Sequence, residues 1–230
     1  MSKSRILIVE DEASLVEVLS YNLQREGYEV VVAQEGREGL RKAQMLLPDL
    51  VILDLMLPGL NGLDICRELR ATPRTAGISI LMLTAKGEET DQVVGFAVGA
   101  DDYVTKPFSV KVLLQRIKVL LRRQDSSDSS GDVIEAAGIR IDKRAHQVTV
   151  NEKPITLTPT EFRLLETLLK QPGRAFTRHD LMDAAVGDTI VLERTIDVHI
   201  KSLRRKLEST GERIETVRGV GYRFQEVKSR

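Results

Sequence analysis

Acidic residues follow two short apolar segments in the first half of the chain. Glu10 and Asp11 come directly after residues 6–9, and Asp54 comes directly after residues 50–53. If these segments are neighbouring parallel strands, their carboxyl ends meet at one sheet edge, and Asp11 and Asp54 converge there. Carboxylates this close raise one another's pKa unless a cation neutralises them, and such oxygen ligands suit Mg²⁺. A single acid can simply cap the helix that follows, but three acids at two strand ends favour a magnesium site.

A hydroxyl and an ammonium group follow two further apolar segments. Thr84 comes after residues 80–83, and Lys106 comes after residues 103–104. A metal ion and a lysine can neutralise the oxygens of a transferring phosphoryl group, while a threonine donates a hydrogen bond to one of them. Asp54 would then be the nucleophile that forms an aspartyl phosphate. These residues predict self-catalysed phosphoryl transfer to Asp54 and no further enzymatic activity.

The elements that position these residues alternate between strands and helices. Short apolar segments lie at 6–9, 30–32, 50–53, 80–83 and 103–104, and helical segments lie at 13–26, 36–46, 62–71, 88–98 and 109–123. The first and third strands are apolar at every position, which is typical of parallel strands covered on both faces. Five such units predict an α/β domain over residues 1–123, with a flavodoxin-like, doubly wound parallel sheet of five strands.

The second half of the chain has a different pattern. Residues 124–132 contain no apolar side chain, so we predict that residues 124–134 form a flexible linker. The domain over 135–230 has short strands at 139–142, 147–150 and 155–157, helices near 159–171, 178–186 and 194–209, and a hairpin over 215–224. This order of elements predicts an α+β winged helix-turn-helix.

The net charge of zero hides a difference between the halves. Residues 1–124 carry 16 basic and 17 acidic residues, whereas residues 136–230 carry 18 basic and 13 acidic residues. A basic second domain favours a polyanionic partner such as double-stranded DNA. Its helix near 194–209 places basic residues opposite an apolar stripe, and Val198 lies among them, where it could touch a thymine methyl. A solvated basic face is the ordinary alternative for such a helix.

Candidate DNA contacts extend from this helix to the terminal hairpin. Arg218 precedes Gly219 and Gly221, whose lack of a side chain allows close approach to another backbone, so we expect Arg218 to enter a minor groove. The full set of candidate DNA contacts is Arg194, Thr195, Val198, His199, Lys201, Ser202, Arg204, Arg205 and Arg218.

Several other functions are disfavoured by the motifs. The turn after the first strand reads Glu-Asp-Glu instead of a glycine-rich dinucleotide motif, and the chain has no P-loop motif. All three histidines lie beyond the predicted linker, so a hydrolytic triad has no base in the first domain. No uninterrupted apolar run approaches about 18 residues, so no membrane span is expected. The single cysteine, Cys66, is interpreted as a small buried hydrophobe, which fits a reducing cytoplasm.

Four motifs, in order and at matching spacing, resemble the signature of receiver domains of response regulators. They read ILIVEDE at 6–12, LDLMLPG at 53–59, LTA at 83–85 and GADDYVTKPF at 99–108. The resemblance implies that Asp54 is the phosphoacceptor and that Mg²⁺ is held by Asp11, Asp54 and the Met56 carbonyl, with Glu10 acting through water. It also implies that Thr84 and Tyr103 reorient when Asp54 is phosphorylated.

Three motifs of the second half resemble the DNA-binding domain of the OmpR/PhoB family. They read LTPTEFRLL at 157–165, RTIDVHI at 194–200 and TVRGVGYRF at 216–224. The resemblance implies a transcriptional regulator that is phosphorylated by a sensor histidine kinase and binds tandem DNA repeats as a dimer. The family often carries Trp where Val186 stands, which leaves a contact with RNA polymerase open. Ser202 stands where PhoB-like members can carry a base-reading arginine, so the target sequence need not be theirs.

Phosphorylation is expected to act by pairing two receivers. Val112 and Val119 lie seven residues apart on the outward face of the helix at 109–123. The resemblance assigns this face, together with the helix at 88–98, to a surface shared by two receivers. The candidate dimer residues are Gln92, Asp101, Asp102, Val112, Arg116, Lys118 and Val119, with Asp101 and Asp102 meeting Lys118 and Arg116 of a second subunit. The alternative is a phosphorelay or protein-interaction module whose basic domain binds a protein instead of DNA.

Overall fold

The computed structural model describes residues 3–85, 98–121, 133–186 and 194–226. The chain divides into two compact units, Met1–Gln124 and Asp125–Arg230. The predicted linker lies mostly outside the described residues. Its last two residues, Val133 and Ile134, instead belong to a strand that pairs with the next one. None of the helices in the described part of the chain has the length and apolar character needed to cross a bilayer.

The first unit contains a parallel sheet of five strands with the order β2-β1-β3-β4-β5. The strands are β1 (Arg5–Val9), β2 (Glu29–Ala33), β3 (Leu50–Asp54), β4 (Ser79–Ala85) and β5 (Asp102–Lys106). The described helices are α1 (Ala13–Arg25), α2 (Gly36–Leu46), α3 (Gly62–Ala71) and α4 (Val110–Leu121). This confirms the doubly wound architecture. The helix predicted at 88–98 lies outside the described residues except for its last position.

Strands β1 and β3 are neighbours inside the sheet, and their apolar composition suits them to that position. Both strands are apolar over most of their length and bury side chains on both faces of the sheet, and they pair in parallel with Val9 opposite Leu53. The two strands therefore end side by side. Helix α3 lies close to the end of β3, because a Cβ atom at Gly62 would lie 2.2 Å from the Asp54 carbonyl oxygen. Cys66 on the same helix is buried, as expected, and burial raises the pKa of its thiol to about 11.

The second unit contains two antiparallel sheets and three helices. One sheet consists of β6 (Val133–Ala136), β7 (Ile139–Asp142), β8 (Gln147–Val150) and β9 (Lys153–Ile155), in that order. The other has the order β10-β12-β11, with β10 (Phe176–Thr177), β11 (Ile214–Val217) and β12 (Gly221–Phe224). The helices are α5 (Pro159–Lys170), α6 (Arg178–Val186) and α7 (Arg194–Lys206). The winged helix-turn-helix prediction is confirmed.

Three details of the second unit differ from the sequence prediction. Strands β6 and β10 were not predicted, since they are too short to show a clear alternation. The predicted strand at 155–157 lies two residues earlier, at β9. The helix predicted to continue to residue 209 ends at Lys206, because Glu208 adopts a left-handed conformation with φ +51° and a short 3₁₀ turn, Glu208–Arg213, follows.

Candidate functional site

The predicted acidic pocket forms at the carboxyl ends of β1 and β3. Carboxylate oxygens of Glu10, Asp11 and Asp54 all lie within 4.8 Å of one another. Glu10 is fully buried and Asp54 is 5% exposed, whereas Asp11 is exposed. The three acids therefore form a half-open cluster in which two carboxylates are shielded from water and the third faces it.

Lys106, at the end of β5, reaches into this cluster. Its Nζ donates hydrogen bonds to Asp54 Oδ2 and to Glu10 Oε2, both at 2.8 Å. Burial alone would lower the pKa of the Lys106 ammonium, but these two hydrogen bonds outweigh burial and the pKa is raised. Burial raises the pKa of the Glu10 carboxyl, an effect that the hydrogen bond from Lys106 opposes and the charge of Asp54 reinforces. Lys106 is thus a stable cation between two acids.

Acidic groups outnumber basic groups in the pocket. Three carboxyl groups share the cluster with one ammonium group, and such an excess of acids favours the binding of a further cation. All of its acidic ligands are hard oxygen atoms, two of them held rigidly at adjacent strand ends, and this donor set fits a divalent ion such as Mg²⁺. The second oxygen of Asp54, Oδ1, accepts a hydrogen bond of 3.1 Å from the Met56 backbone N–H, which fixes the orientation of the carboxylate.

The two predicted switch residues lie on the neighbouring strands. Thr84 follows Leu83, the residue of β4 that pairs with Asp54, and it is fully buried. Tyr103 lies on β5 opposite Met82 of β4 and is 6% exposed. Along the sheet, Thr84 lies one position beyond Asp54, and Tyr103 lies level with Leu53, one position before Asp54.

The candidate DNA contacts of α7 fall into three groups. Lys201 and Arg205 are exposed and Val198 is half-buried, as a reading face requires. His199 is only 2% exposed and lies with Ile196 on the inward side of the helix, so the prediction that it contacts DNA is wrong. The buried side of the helix is therefore wider than the apolar stripe that the sequence indicates. The side chains of Arg194 and Thr195 lie outside the described part of the structure.

Ser202 and Arg204 are held by other parts of the domain. The Ser202 hydroxyl donates a hydrogen bond of 2.7 Å to Glu161 Oε1 of α5. The Arg204 guanidinium donates to the Ile214 carbonyl oxygen at 2.6 Å and to the Thr216 hydroxyl at 3.0 Å. These contacts correct the expectation that Ser202 and Arg204 point at DNA, because both side chains are turned toward their own domain.

The hairpin between β11 and β12 forms the expected wing. Arg218 is exposed in a turn closed by a hydrogen bond of 3.0 Å from the Val220 N–H to the Val217 carbonyl. The turn requires glycine at position 219, where φ is +74°. The wing is tied to α7 because Tyr222 O–H donates to Asp197 Oδ1 at 2.7 Å. It therefore presents Arg218 from a fixed base.

Comparison with known proteins identifies this combination of domains. A response regulator receiver domain matches residues 6–118, and the C-terminal domain of transcriptional regulatory proteins matches residues 152–224. The phosphate regulon transcriptional regulatory protein PhoB of Rhizobium meliloti is 46% identical over 96% of this chain and 98% of its own length. The chain is a response regulator of the OmpR/PhoB family. It combines a receiver domain with a DNA-binding domain and is a transcriptional regulator of a two-component system.

Solved structures agree with this assignment. A mutant of RitR aligns with a TM-score of 0.78 and 31% identity, covering 97% of this chain and all of that one. The response regulator DrrB, described as a Thermotoga maritima OmpR/PhoB homologue, aligns with a TM-score of 0.51 and 31% identity over 98% of this chain and all of its own. The resemblance stated from the motifs is therefore confirmed.

Two residues expected at the dimer surface make contacts within the receiver instead. Asp101 and Asp102 are fully buried. Asp102 accepts hydrogen bonds of 2.6 and 2.8 Å from Arg116 of the same chain, and Asp101 accepts one of 2.7 Å from Arg70. The expectation that these two acids meet a second subunit is therefore wrong for this conformation.

The remaining dimer residues give a mixed result. Lys118 pairs at 2.6 Å with Glu26 of the same chain. Val112 is 47% exposed, as expected, whereas Val119 is half-buried. Gln92 lies outside the described residues. Among the described residues, the exposed apolar side chain of Val112 is the feature that still supports the predicted dimer surface.

Four residues that position these elements were not predicted from the sequence: Arg70, Glu161, Arg178 and Tyr222. Glu161 carried a usable signal, since Thr158 and Glu161 have the spacing of a capping box, and the structure forms it. Arg178 binds Asp197 at 2.8 Å and its guanidinium lies over the Tyr222 ring. These contacts join residues far apart in the chain, and no local pattern indicates them.

Proposed function

We propose that Asp54 accepts a phosphoryl group from a phosphohistidine of a sensor histidine kinase and that the pocket itself promotes the transfer. An Asp54 oxygen forms the new P–O bond as the P–N bond of the phosphohistidine breaks, and the electron pair of that bond returns to the imidazole nitrogen. The observation that carries this proposal is the position of Lys106, whose Nζ lies 2.8 Å from Asp54. A phosphoryl oxygen on that carboxylate would find a cation beside it.

The other pocket residues have distinct roles in this proposal. Asp11, Asp54 and the Met56 carbonyl would hold Mg²⁺, with Glu10 acting through water. When bound, the ion supplies positive charge that offsets the charge of the phosphoryl oxygens. Thr84 would donate a hydrogen bond from its hydroxyl to a phosphoryl oxygen, and Tyr103 would reorient with Thr84. These two movements would transmit the phosphorylation of Asp54 along β4 and β5, away from the pocket.

We further propose that phosphorylation pairs two receivers and thereby places two DNA-binding domains on tandem half-sites. The exposed Val112 is the apolar contact on which this part rests. The half-sites would repeat at about one helical turn, roughly 10–11 base pairs. Lys201, Arg205 and Val198 would enter the major groove, and Arg218 would enter the minor groove. A regulator of this kind works in the cytoplasm, where chromosomal DNA is. The loop that would contact RNA polymerase lies outside the described residues.

Phosphoryl transfer is tested by incubating the protein with acetyl phosphate and Mg²⁺ and weighing the intact chain. We expect one phosphoryl adduct on the wild type and on Asp64→Ala, a control that removes an exposed acid, and none on Asp54→Ala. Asp11→Asn should weaken Mg²⁺ binding because it removes a ligand. Undiminished labelling of Asp54→Ala would rule out this assignment.

Dimerisation is tested by analytical ultracentrifugation with beryllofluoride, a phosphoryl mimic. Wild type should become a dimer, and Val112→Lys should remain a monomer with unchanged thermal stability. A wild type that stays monomeric yet gains DNA affinity would contradict pairing. Binding of genomic fragments that survives heparin competitor supports DNA as the partner of the basic domain, whereas its loss would favour a protein partner.

A further inference from the structure

Glu161 is a buried carboxylate that serves two elements at once. It is 2% exposed, and it belongs to the first turn of α5. Its Oε2 accepts a hydrogen bond of 2.8 Å from the Thr158 backbone N–H, which completes the capping box. A capping box requires no more than this from its acid. The other contacts of Glu161 therefore need a separate explanation.

Those other contacts come from α7, the helix that carries the candidate major-groove residues. The Ser202 hydroxyl donates to Glu161 Oε1 at 2.7 Å, and Lys206 Nζ donates to Oε2 at 2.6 Å. Ser202 and Lys206 are four residues apart, so they lie one turn above another on the same side of the helix. A single carboxylate thus holds two successive turns of α7.

The geometry of a helix links these contacts to the exposed cations. Lys201 and Arg205 each precede one of the held residues by a single position, which rotates them by about 100° around the helix axis. They are exposed, whereas Ser202 and Lys206 are half-buried. Any change in the rotation of α7 about its axis would therefore move Ser202 away from Glu161 and turn Lys201 and Arg205 away from their present direction.

The opposite flank of α7 is held as well. Arg204 donates to the Ile214 carbonyl of β11, and Asp197 accepts from Arg178 and Tyr222. The apolar stripe beneath the helix contributes non-directional attraction, which tolerates small rotations. Hydrogen bonds weaken steeply when their angles change. The hydrogen bonds on the two flanks of α7 therefore restrict its rotation more tightly than the apolar stripe does, and they fix the direction of the exposed face that lies between the flanks.

We propose that Glu161 is a positioning residue for sequence readout: by holding Ser202 and Lys206 it sets the rotation of α7 and so aims Lys201 and Arg205 at base edges. The inference rests on the proposed function, in which α7 enters the major groove. Glu161 itself touches no DNA, and Lys206 acts as an anchor whose charge is used within the domain.

The test compares affinity for a specific site with affinity for random DNA, using the full-length chain with beryllofluoride and a duplex that the wild type selects from a random pool. Glu161→Gln keeps an oxygen for the Thr158 N–H but loses the ion pair with Lys206. We expect it to lower the ratio of specific to random affinity about 10-fold, since it weakens a hydrogen bond to a charged group. Affinity for random DNA should stay within about twofold, because no phosphate contact is lost.

Matched variants separate positioning from simple stabilisation. Ser202→Ala should lower the same ratio about threefold, since one bond of the set is lost, and Ser202→Thr should restore it because the hydroxyl returns. Lys206→Met should leave the salt dependence of binding unchanged, whereas a lysine that neutralised a phosphate would reduce the slope by about one unit.

The possible results separate the positioning role of Glu161 from the proposed reading of DNA by α7. If the wild type discriminates but Glu161→Gln lowers only the melting temperature and leaves the affinity ratio unchanged, Glu161 is a stabilising residue and the inference is overturned. The same holds if Lys206→Met reduces the salt slope. A wild type that does not discriminate between sequences at all would overturn the proposed DNA readout together with the inference.

Discussion

The phosphorylation pocket and the DNA-reading helix are built in opposite ways. In the pocket, the carboxyl ends of β1, β3 and β5 bring Glu10, Asp54 and Lys106 together, and Lys106 Nζ donates to both carboxylates at 2.8 Å. On α7, the residues proposed to act, Lys201 and Arg205, are exposed, and the bonds that hold the helix are made by their neighbours. The pocket is therefore a site of buried, paired charges, whereas the DNA face is a set of exposed charges on a positioned support. The two regions should respond differently when a charge is removed.

The largest effect is expected where a buried pair in the receiver is broken. Arg70 donates to the Gly99 carbonyl at 2.7 Å and to Asp101 at 2.7 Å, and its side chain is 9% exposed. Arg70→Met removes the guanidinium that pairs with the buried Asp101, so the free energy of unfolding of the receiver should fall by about 3–5 kcal/mol. Urea unfolding followed by labelling of Cys66 measures this change, because Cys66 is the only cysteine and is buried in the receiver.

A second arginine of the same helix supplies the control. Arg67 pairs with Asp64, and their side chains are 61% and 41% exposed. Arg67→Met should change the free energy of unfolding by less than about 1 kcal/mol. Equal losses for Arg67→Met and Arg70→Met would remove the distinction between buried and exposed charges on which the comparison depends.

At the DNA face, loss of a charge should change affinity and leave stability almost untouched. Arg205→Ala removes an exposed cation of α7, and if Arg205 reads a base edge it should cost about 1–3 kcal/mol on the preferred site and little on random DNA. Arg218→Ala should also weaken binding, with its loss depending on minor-groove width. Fluorescence anisotropy on both duplexes measures these values. Equal losses for Arg205→Ala on specific and random DNA would instead assign Arg205 to a phosphate.

The smallest effect is expected at a turn that belongs to neither site. Asn151 and Glu152 join β8 and β9 with φ values of +48° and +69°, a turn that favours glycine at its second position. Glu152→Gly should therefore raise the free energy of unfolding of the second domain by about 0.5–1 kcal/mol without changing DNA affinity. The control is Lys153→Gly, which lies in a strand and should destabilise the domain. Chemical denaturation of both variants gives the comparison.

The two regions also differ in how far the sequence could predict them. The pocket was predictable because each of its residues follows an apolar segment, and strand order then brings the segment ends together. Glu10, Asp11 and Asp54 could be named from local patterns alone. The order of the elements likewise indicated both folds, since alternation and short hairpins are local signals.

Contacts between distant segments could not be predicted. Glu161 lies 41 residues before Ser202, so no local pattern indicates that the serine turns toward its own domain. The family resemblance led us to expect Asp101 and Asp102 at a dimer surface, but Arg70 and Arg116 approach them from two helices and allow burial. His199 was predicted to contact DNA from its place on the helix, but tertiary packing decides whether such a side chain is covered.

The central claim, that the pocket controls the DNA face through Asp54, is tested most directly by one binding measurement. The affinity of the full-length protein for its selected duplex is measured with and without beryllofluoride and Mg²⁺, for wild type and for Asp54→Ala. The account predicts that wild type binds at least about 10-fold more tightly with the mimic, a change of about 1.4 kcal/mol, and that Asp54→Ala does not respond. Equal affinities of wild type in the two conditions, or an equal gain in Asp54→Ala, would contradict it.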